Sequence, residues 1–210
     1  MTTPMQRDVA PVAVLGAGGH AKVVVAALRA AGRAIAGCYV LDPAQIGGHV
    51  LRVPVLHEDA LPHGAPRVLA TGDNRLRERL AATLAGPWVT VVHPSAVVDP
   101  TVVLGEGAVI CAGVVLQPDV RVGAHAIINT SAHVDHDGVV GAFAHLAPGC
   151  HVAGGVQLGV GAFVGTGASV IPGRCVGEWA TVGAGAVVVR DVVANAVVVG
   201  VPARERPKKR

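Results

Sequence analysis

Val134-Asp-His-Asp-Gly-Val-Val140-Gly-Ala-Phe-Ala-His-Leu146-Ala-Pro-Gly-Cys-His-Val152 carries an aliphatic residue at every sixth place. The same phase runs back to Val92 and forward to Val188 without an exception, through Val98, Leu104, Ile110, Leu116, Val122, Ile128, Leu158, Val164, Val170, Val176 and Val182. Four residues after each stands a second, smaller row, from Ala96 and Val102 to Ala186 and Val192. Gly138 and Cys150 belong to it, and Arg174 alone is out of character. A period of six matches neither the 3.6-residue helix nor the two-residue alternation of an ordinary strand. It is the signature of a parallel β-helix of hexapeptide repeats. At three hexads per turn, residues 92–188 predict about five and a half coils.

Composition agrees with that reading. The chain of 210 residues is 51% hydrophobic yet only 2% aromatic, and it holds 28 glycines. Val, Ala, Leu and Ile suit a narrow prism filled in layers, and glycine suits its tight corners. The formal charge of +3 is mild. Its one dense basic run, Arg204, Arg206, Lys208, Lys209 and Arg210, reads either as a solvated tail or as a lure for a phosphate-bearing ligand. The near absence of stacking aromatics and of any recognition motif argues against nucleic acid. Met1–Pro11 lacks the apolar core of a secretory signal, and no apolar stretch approaches the ~20 residues of a membrane span. Cys38, Cys111, Cys150 and Cys175 show no CxxC pairing, so free thiols and a cytoplasmic location are expected.

The texture before Val92 differs, which places a boundary near Ala85–Trp88 and divides the chain into 1–87 and 88–210, with Gly86-Pro87 as a hinge or turn. Strand-like runs Val12–Leu15, Ala34–Leu41 and Val68–Thr71 alternate with helical segments Ala21–Ala31 and Arg75–Leu84, the latter capped by Asp73 or Asn74. That alternation predicts a small α/β unit on a parallel sheet. In the repeat, one buried aliphatic row does not offset the entropy of ordering so much chain. Association is therefore expected, and three-fold closure matches a three-sided prism.

Functional residues of a regular β-helix must lie outside its inward rows. His133, His145 and His151 take the outward place just before an aliphatic position, and His133 and His151, 18 residues apart, are expected to stack. His136 stands between Asp135 and Asp137. A carboxylate on one ring nitrogen orients the imidazole and raises the basicity of the other, as a general base for acyl transfer requires. The alternative is an exposed histidine in a polar corner. Zinc is not expected: γ-class carbonic anhydrases share the period but pair ligand histidines five apart, whereas His125, His133, His136, His145 and His151 are spaced otherwise.

With these residues in place, the chain resembles the bacterial sugar acetyltransferases, the family containing sialic-acid O-acetyltransferases and the N-acetyltransferases of nucleotide-linked 4-amino sugars. Gly16-Ala-Gly-Gly-His-Ala-Lys22, His93-Pro-Ser-Ala96, Asn129-Thr-Ser-Ala-His-Val-Asp-His-Asp137, His145-Leu-Ala-Pro-Gly149 and Gly200-Val-Pro-Ala203 carry the resemblance across nearly the whole chain. It implies a small Rossmann-like domain followed by a left-handed β-helix that forms a homotrimer. It also implies that His136 is the proton acceptor, that Asp137 makes it more basic, and that His145, Thr166 and Ala184 contact acetyl-CoA. Some relatives have glycine at the position of Ala184.

The N-terminal unit has its own site. Gly16-x-Gly18-x-x-Ala21 follows a strand and opens a helix, the context for a phosphate-binding turn. The unit is too short for the second half of a dinucleotide fold, so one nucleotide diphosphate fits better. The resemblance places Gly18, Gly19, His20, Asp42, Pro43 and Gly72 at nucleotide-sugar contacts. Asp42 also reads as a plain Asp-Pro turn.

The function expected from the chain and its resemblance is acetyl-CoA-dependent N-acetylation of a UDP- or GDP-linked amino sugar. No metal is expected to take part. O-acetylation of a sialic acid, a nucleotide-binding trimeric scaffold and a zinc lyase are the rival readings. Backbone N–H groups near Gly165 and Thr166 are expected to hold the oxyanion.

Overall fold

Residues 10–206 are described by a computed structural model. Most of the segment read as lacking a signal, Met1–Val9, and the basic residues Lys208, Lys209 and Arg210 lie outside the described residues. In the first unit, β1 (Val12–Leu15), β2 (Ile35–Val40), β3 (His49–Val50), β4 (Val53–His57) and β5 (Arg67–Leu69) form one sheet in the order β3-β4-β2-β1-β5. Helices α1 (Gly19–Ala30) and α2 (Asn74–Thr83) accompany it. The Asp73 carboxylate caps α2 by accepting from the Leu76 N–H at 2.9 Å.

The sheet is not wholly parallel. β3 and β4 pair antiparallel through a two-residue turn in which Leu51 and Arg52 both have positive φ, 48° and 67°. That geometry is normally signalled by Asn-Gly or Asp-Gly. Leu-Arg gives no such signal, so the sequence does not announce the hairpin.

From Val91 onward every hexad contributes one two-residue strand, β6 (Val91–Val92) to β22 (Val187–Val188), and strands 18 residues apart pair in parallel. The strands lie on three faces, named here for His133, Val139 and His145. The expected row from Ile110 to Val188 points inward and is buried throughout. The last coil closes early: β23 (Val197–Val199) pairs with Thr181 and Val182 only 16 residues back. It then turns antiparallel into β24 (Arg204–Glu205).

The outward residues of the three faces have different fates. On the His145 face Val109 and Ile127 are 1% and 0% exposed, whereas Val97 and Val103 on the other two faces are 63% and 55% exposed. The first unit covers the His145 face, with α1 against β6, and one hydrophobic core runs through both units. The segment expected as a hinge is tied down as well: Pro87 O accepts from Arg67 N–H, and Arg67 O accepts from Val89 N–H. Cys38, Cys111 and Cys150 are buried free thiols, pushed up to about 11, 12 and 12 by burial, and Cys175 is exposed.

Candidate active site

His136 stands at the corner between the His133 and Val139 faces, in the turn after the strand His133–Val134. The two flanking acids do different work. Asp137 Oδ2 lies 2.8 Å from His136 Nδ1, while Asp135 Oδ1 accepts from the His136 backbone N–H at 2.9 Å. Asp137 has φ of 58°, and this left-handed turn swings its carboxylate back to the ring. Nδ1–H then donates to Asp137, which leaves Nε2 as the free acceptor. The Asp137 hydrogen bond, with the Asp135 charge second, holds the imidazole above its ordinary range. Under the ring lies Gly154: a Cβ there would fall 2.6 Å from Nε2 and 2.7 Å from Cε1. The Gly154 N–H makes no hydrogen bond within the described residues.

A cleft of about 440 Å³ opens in the first unit, lined by Gly18, Gly19, His20, Asp42 and Gly72, with Leu76 and Leu80 of α2 on its apolar side. Gly18 and Gly19 open α1, whose N–H groups suit an anion. Asp42 caps the short turn that begins at Pro43. Its oxygens accept from Ala44 N–H at 3.0 Å and Gln45 Nε2 at 3.3 Å, so the Asp-Pro turn is real and stands at the rim of the cleft.

His145 joins this cleft to the solenoid. Its Nδ1 is 3.3 Å from Gly72 O and its Nε2 is 3.2 Å from Asn129 Nδ2. The carbonyl can only accept, so Nδ1 carries the proton and Nε2 accepts from Asn129. The His20 ring lies 6.2 Å from that of His145, and His20 Nε2 is buried without a partner among the described residues. Burial, with Arg77 adding to it and the facing imidazole of His145 adding further for His20, lowers both histidines to about 4, so both are neutral. Thr166 and Ala184 sit one and two coils beyond, stacked and exposed at the corner between the His145 and His133 faces.

A family model, the PglD N-terminal domain, matches residues 11–84. No curated protein matches the chain by sequence. Among solved structures, PerB from Caulobacter crescentus in complex with CoA and GDP-perosamine is 46% identical. It superposes with a TM-score of 0.89 over 95% of this chain and 98% of that one. The acetyltransferase domain of PglB from Neisseria gonorrhoeae in complex with acetyl coenzyme A is 35% identical, with TM-score 0.86 over 93% and 98% of the two chains. WeeI from Acinetobacter baumannii is 27% identical, with TM-score 0.86 over 93% and 99%. The chain belongs to the hexapeptide-repeat sugar acetyltransferases.

In this acetyltransferase the sequence-derived residues fall into three groups rather than one. His136 and Asp137 touch each other, Gly18, Gly19, His20, Asp42 and Gly72 share the cleft, and Thr166 and Ala184 share a corner. His145 belongs with the cleft, through Gly72 and His20. His133 and His151 do lie one above the other, as paired strand residues whose rings meet edge to face with centroids 4.7 Å apart, on a face away from the first unit. Gly165 does not suit an oxyanion hole, because its N–H is given to Val182 O at 2.8 Å. The Thr166 N–H makes no such bond among the described residues. Sequence reasoning passed over Gly154, which is one of many corner glycines. It also passed over Asn129 beyond its place in a motif, and over Arg77, which reads as an ordinary surface charge on a helix.

Proposed function

We propose that this protein transfers the acetyl group of acetyl-CoA to the amine of a nucleotide-linked amino sugar, with His136 as general base. The acid-paired imidazole, exposed at its corner with its acceptor nitrogen free, is the observation that carries the reading. The amine attacks the thioester carbonyl while Nε2 takes its proton, and Asp137 steadies the imidazolium. The Gly154 N–H, beside the ring, is available to the developing oxyanion. When the tetrahedral intermediate collapses, the carbon–sulfur bond breaks. The proton on Nε2 then passes to the departing sulfur, giving free CoA and an amide.

The cleft suits the substrate. A nucleotide diphosphate would lay its phosphates on the Gly18–Gly19 helix start and meet Asp42 and Pro43 at the rim, with the sugar directed toward His20 and Gly72. The unpartnered His20 Nε2 is a group that a sugar hydroxyl or amine would satisfy. Perosamine N-acetyltransferase from Caulobacter crescentus holds CoA and GDP-perosamine, which supports an amine acceptor over a sialic acid hydroxyl.

The parts assign this chemistry to more than one copy. The corner bearing His136 is the one opposite the His145 face, on which the first unit sits, so one chain's base and cleft point apart. A homotrimer of left-handed, three-sided coils would bring one copy's His136 corner to the next copy's Thr166–Ala184 corner, where acetyl-CoA would lie. In this reading residues 1–87 bind the nucleotide sugar, residues 88–210 carry out transfer, and the reaction takes place in the cytoplasm. No helix among the described residues is long and apolar enough to cross a membrane.

The test is a panel of UDP-, GDP- and CMP-linked amino sugars, with free sialic acids beside them, read by gain of one acetyl mass and by release of CoA thiol. Acetylation of an amino sugar, with a His136→Ala variant slower by ~10²–10⁴ at unchanged acetyl-CoA affinity, is the expected result. A scaffold would release no thiol. An enzyme indifferent to loss of the imidazole would need another base.

A further inference from the structure

Helix α2 lies along the solenoid and meets it coil by coil. Residues 125, 143, 161 and 179 form one column, 18 apart, at the corner between the Val139 and His145 faces. Arg77 Nε donates to His125 O at 2.8 Å, and one Arg77 terminal nitrogen donates to Phe143 O at 2.6 Å. Asn74 Nδ2 donates to Gly161 O at 3.0 Å, and the Arg75 guanidinium lies 3.3 Å over the Trp179 ring. Three neighbouring residues of one helix thus engage four successive coils.

Arg77 is the centre of this clamp. It is 1% exposed and the largest fully buried side chain among the described residues. Its partners are carbonyls and one amide rather than a carboxylate: besides the two coils it reaches Thr71 O at 3.0 Å and Asn74 Oδ1 at 2.9 Å. Burying a guanidinium that no carboxylate touches is costly, and burial, only partly offset by the Asp73 charge, lowers it to about 10. A planar fork of five donors is the cation that can satisfy several fixed carbonyls at once. Thr71 immediately precedes Gly72, whose carbonyl meets His145, so the clamp ends at the cleft.

We propose that Arg77 is a positioning residue for acetyl transfer, fixing the 71–74 loop of the nucleotide-sugar cleft in register with the coils that carry His145. The inference rests on the acetyl-transfer reading above. Displacement of about 1 Å far from the reacting atoms can cost ~10²-fold in rate, because attack requires aligned partners. Lysine keeps the charge at this position but not the fork, so it does not restore the geometry.

The test compares wild type, Arg77→Lys and Arg77→Met, using the amino-sugar nucleotide that the panel identifies. Expected in both variants is a kcat lower by about 10- to 100-fold. The KM for acetyl-CoA stays within about twofold, since Thr166 and Ala184 stand at another corner, away from the clamp. Amide hydrogen exchange over residues 70–76 becomes faster in both while the solenoid stays protected. Wild-type kcat in either variant overturns the proposal. So does a slower enzyme whose 70–76 segment exchanges as in wild type, or one whose KM for acetyl-CoA rises as kcat falls. If Arg77→Met does not fold, Arg77→Lys and Asn74→Ala are judged by the same criteria. Exchange needs no substrate, so a wild type inactive on the whole panel refutes the acetyl-transfer reading while the clamp is still tested.

Discussion

The chemistry of His136 turns on which nitrogen is free. Because Asp137 holds Nδ1 at 2.8 Å, the base must be neutral at Nε2 to accept a proton, and the same hydrogen bond raises the pH at which it becomes neutral. Activity should therefore rise with pH through the elevated His136 pKa and level off above it. Asp137→Asn removes the charge and lets the titration fall toward the ordinary histidine range. The acid limb of kcat/KM should then move to lower pH while the plateau rate drops. A limb that stays in place would show that Asp137 does not set the basicity. Gly154 offers a sharper probe of the same ring. Its φ is ordinary, and the atoms its Cβ would meet belong to the His136 imidazole, the movable end of a side chain. Gly154→Ala should leave stability within about 0.5 kcal/mol, as substitutions away from the core do, yet lower kcat by roughly 10-fold or more through displacement of the base. Denaturant unfolding beside steady-state rates checks both halves.

At the corners of the solenoid the same substitution has a different consequence. A Cβ on Gly141 would fall 2.6 Å from Gly159 C and Val160 N, backbone atoms of the next coil that cannot give way. Gly141→Ala should cost on the order of 1–3 kcal/mol, the usual penalty of overpacking. A lower denaturation midpoint at unchanged slope would record it, and an unchanged midpoint would mean that the coils yield. The two glycines also differ in phase: Gly141 directly follows the inward Val140, as Gly123 and Gly159 follow Val122 and Leu158, whereas Gly154 stands two places after Val152 in the sequence. Its six-residue period did reveal the coil, because each inward position must be small or aliphatic whatever the turn does. The acid-flanked His136 was legible for a similar reason: residue type and phase together put it outside the prism. The Leu51-Arg52 hairpin was not legible, since ordinary residues occupy a left-handed turn. Nor was the burial of Arg77, since a charged residue in Asn74–Thr83 reads as solvated until the carbonyls facing it are known.

Where the two units meet, neutral buried histidines stand beside the Arg77 cation, and this gives the whole protein a pH dependence separate from that of catalysis. His20 and His145 are lowered from 6.5 to about 4, first by burial, then by His145 and Arg77 in the case of His20 and by Arg77 in the case of His145. His125, between Trp88 and Phe143, is lowered in the same direction by burial. A histidine kept neutral by folding binds its proton more readily in the unfolded chain. Its contribution is thus complete above the unfolded pKa near 6.5 and is lost as pH falls toward the folded value near 4. The loss is on the order of 3 kcal/mol per histidine, and less than twice that for the pair, since part of the His20 shift comes from His145. The window lies mostly above the carboxylate titrations, so it isolates these rings. The thermal midpoint should fall steadily between pH 6.5 and pH 4.5, with exchange quickening first at residues 70–76. His145→Gln keeps an amide able to meet Gly72 or Asn129 but cannot ionise, so it should flatten that slope. A wild type whose midpoint is constant over this range, or a variant with the wild-type slope, would show that the buried pair does not govern docking. Since His136 titrates above its ordinary range, acidification should silence the base first, and only at lower pH release the nucleotide-binding unit from the coil.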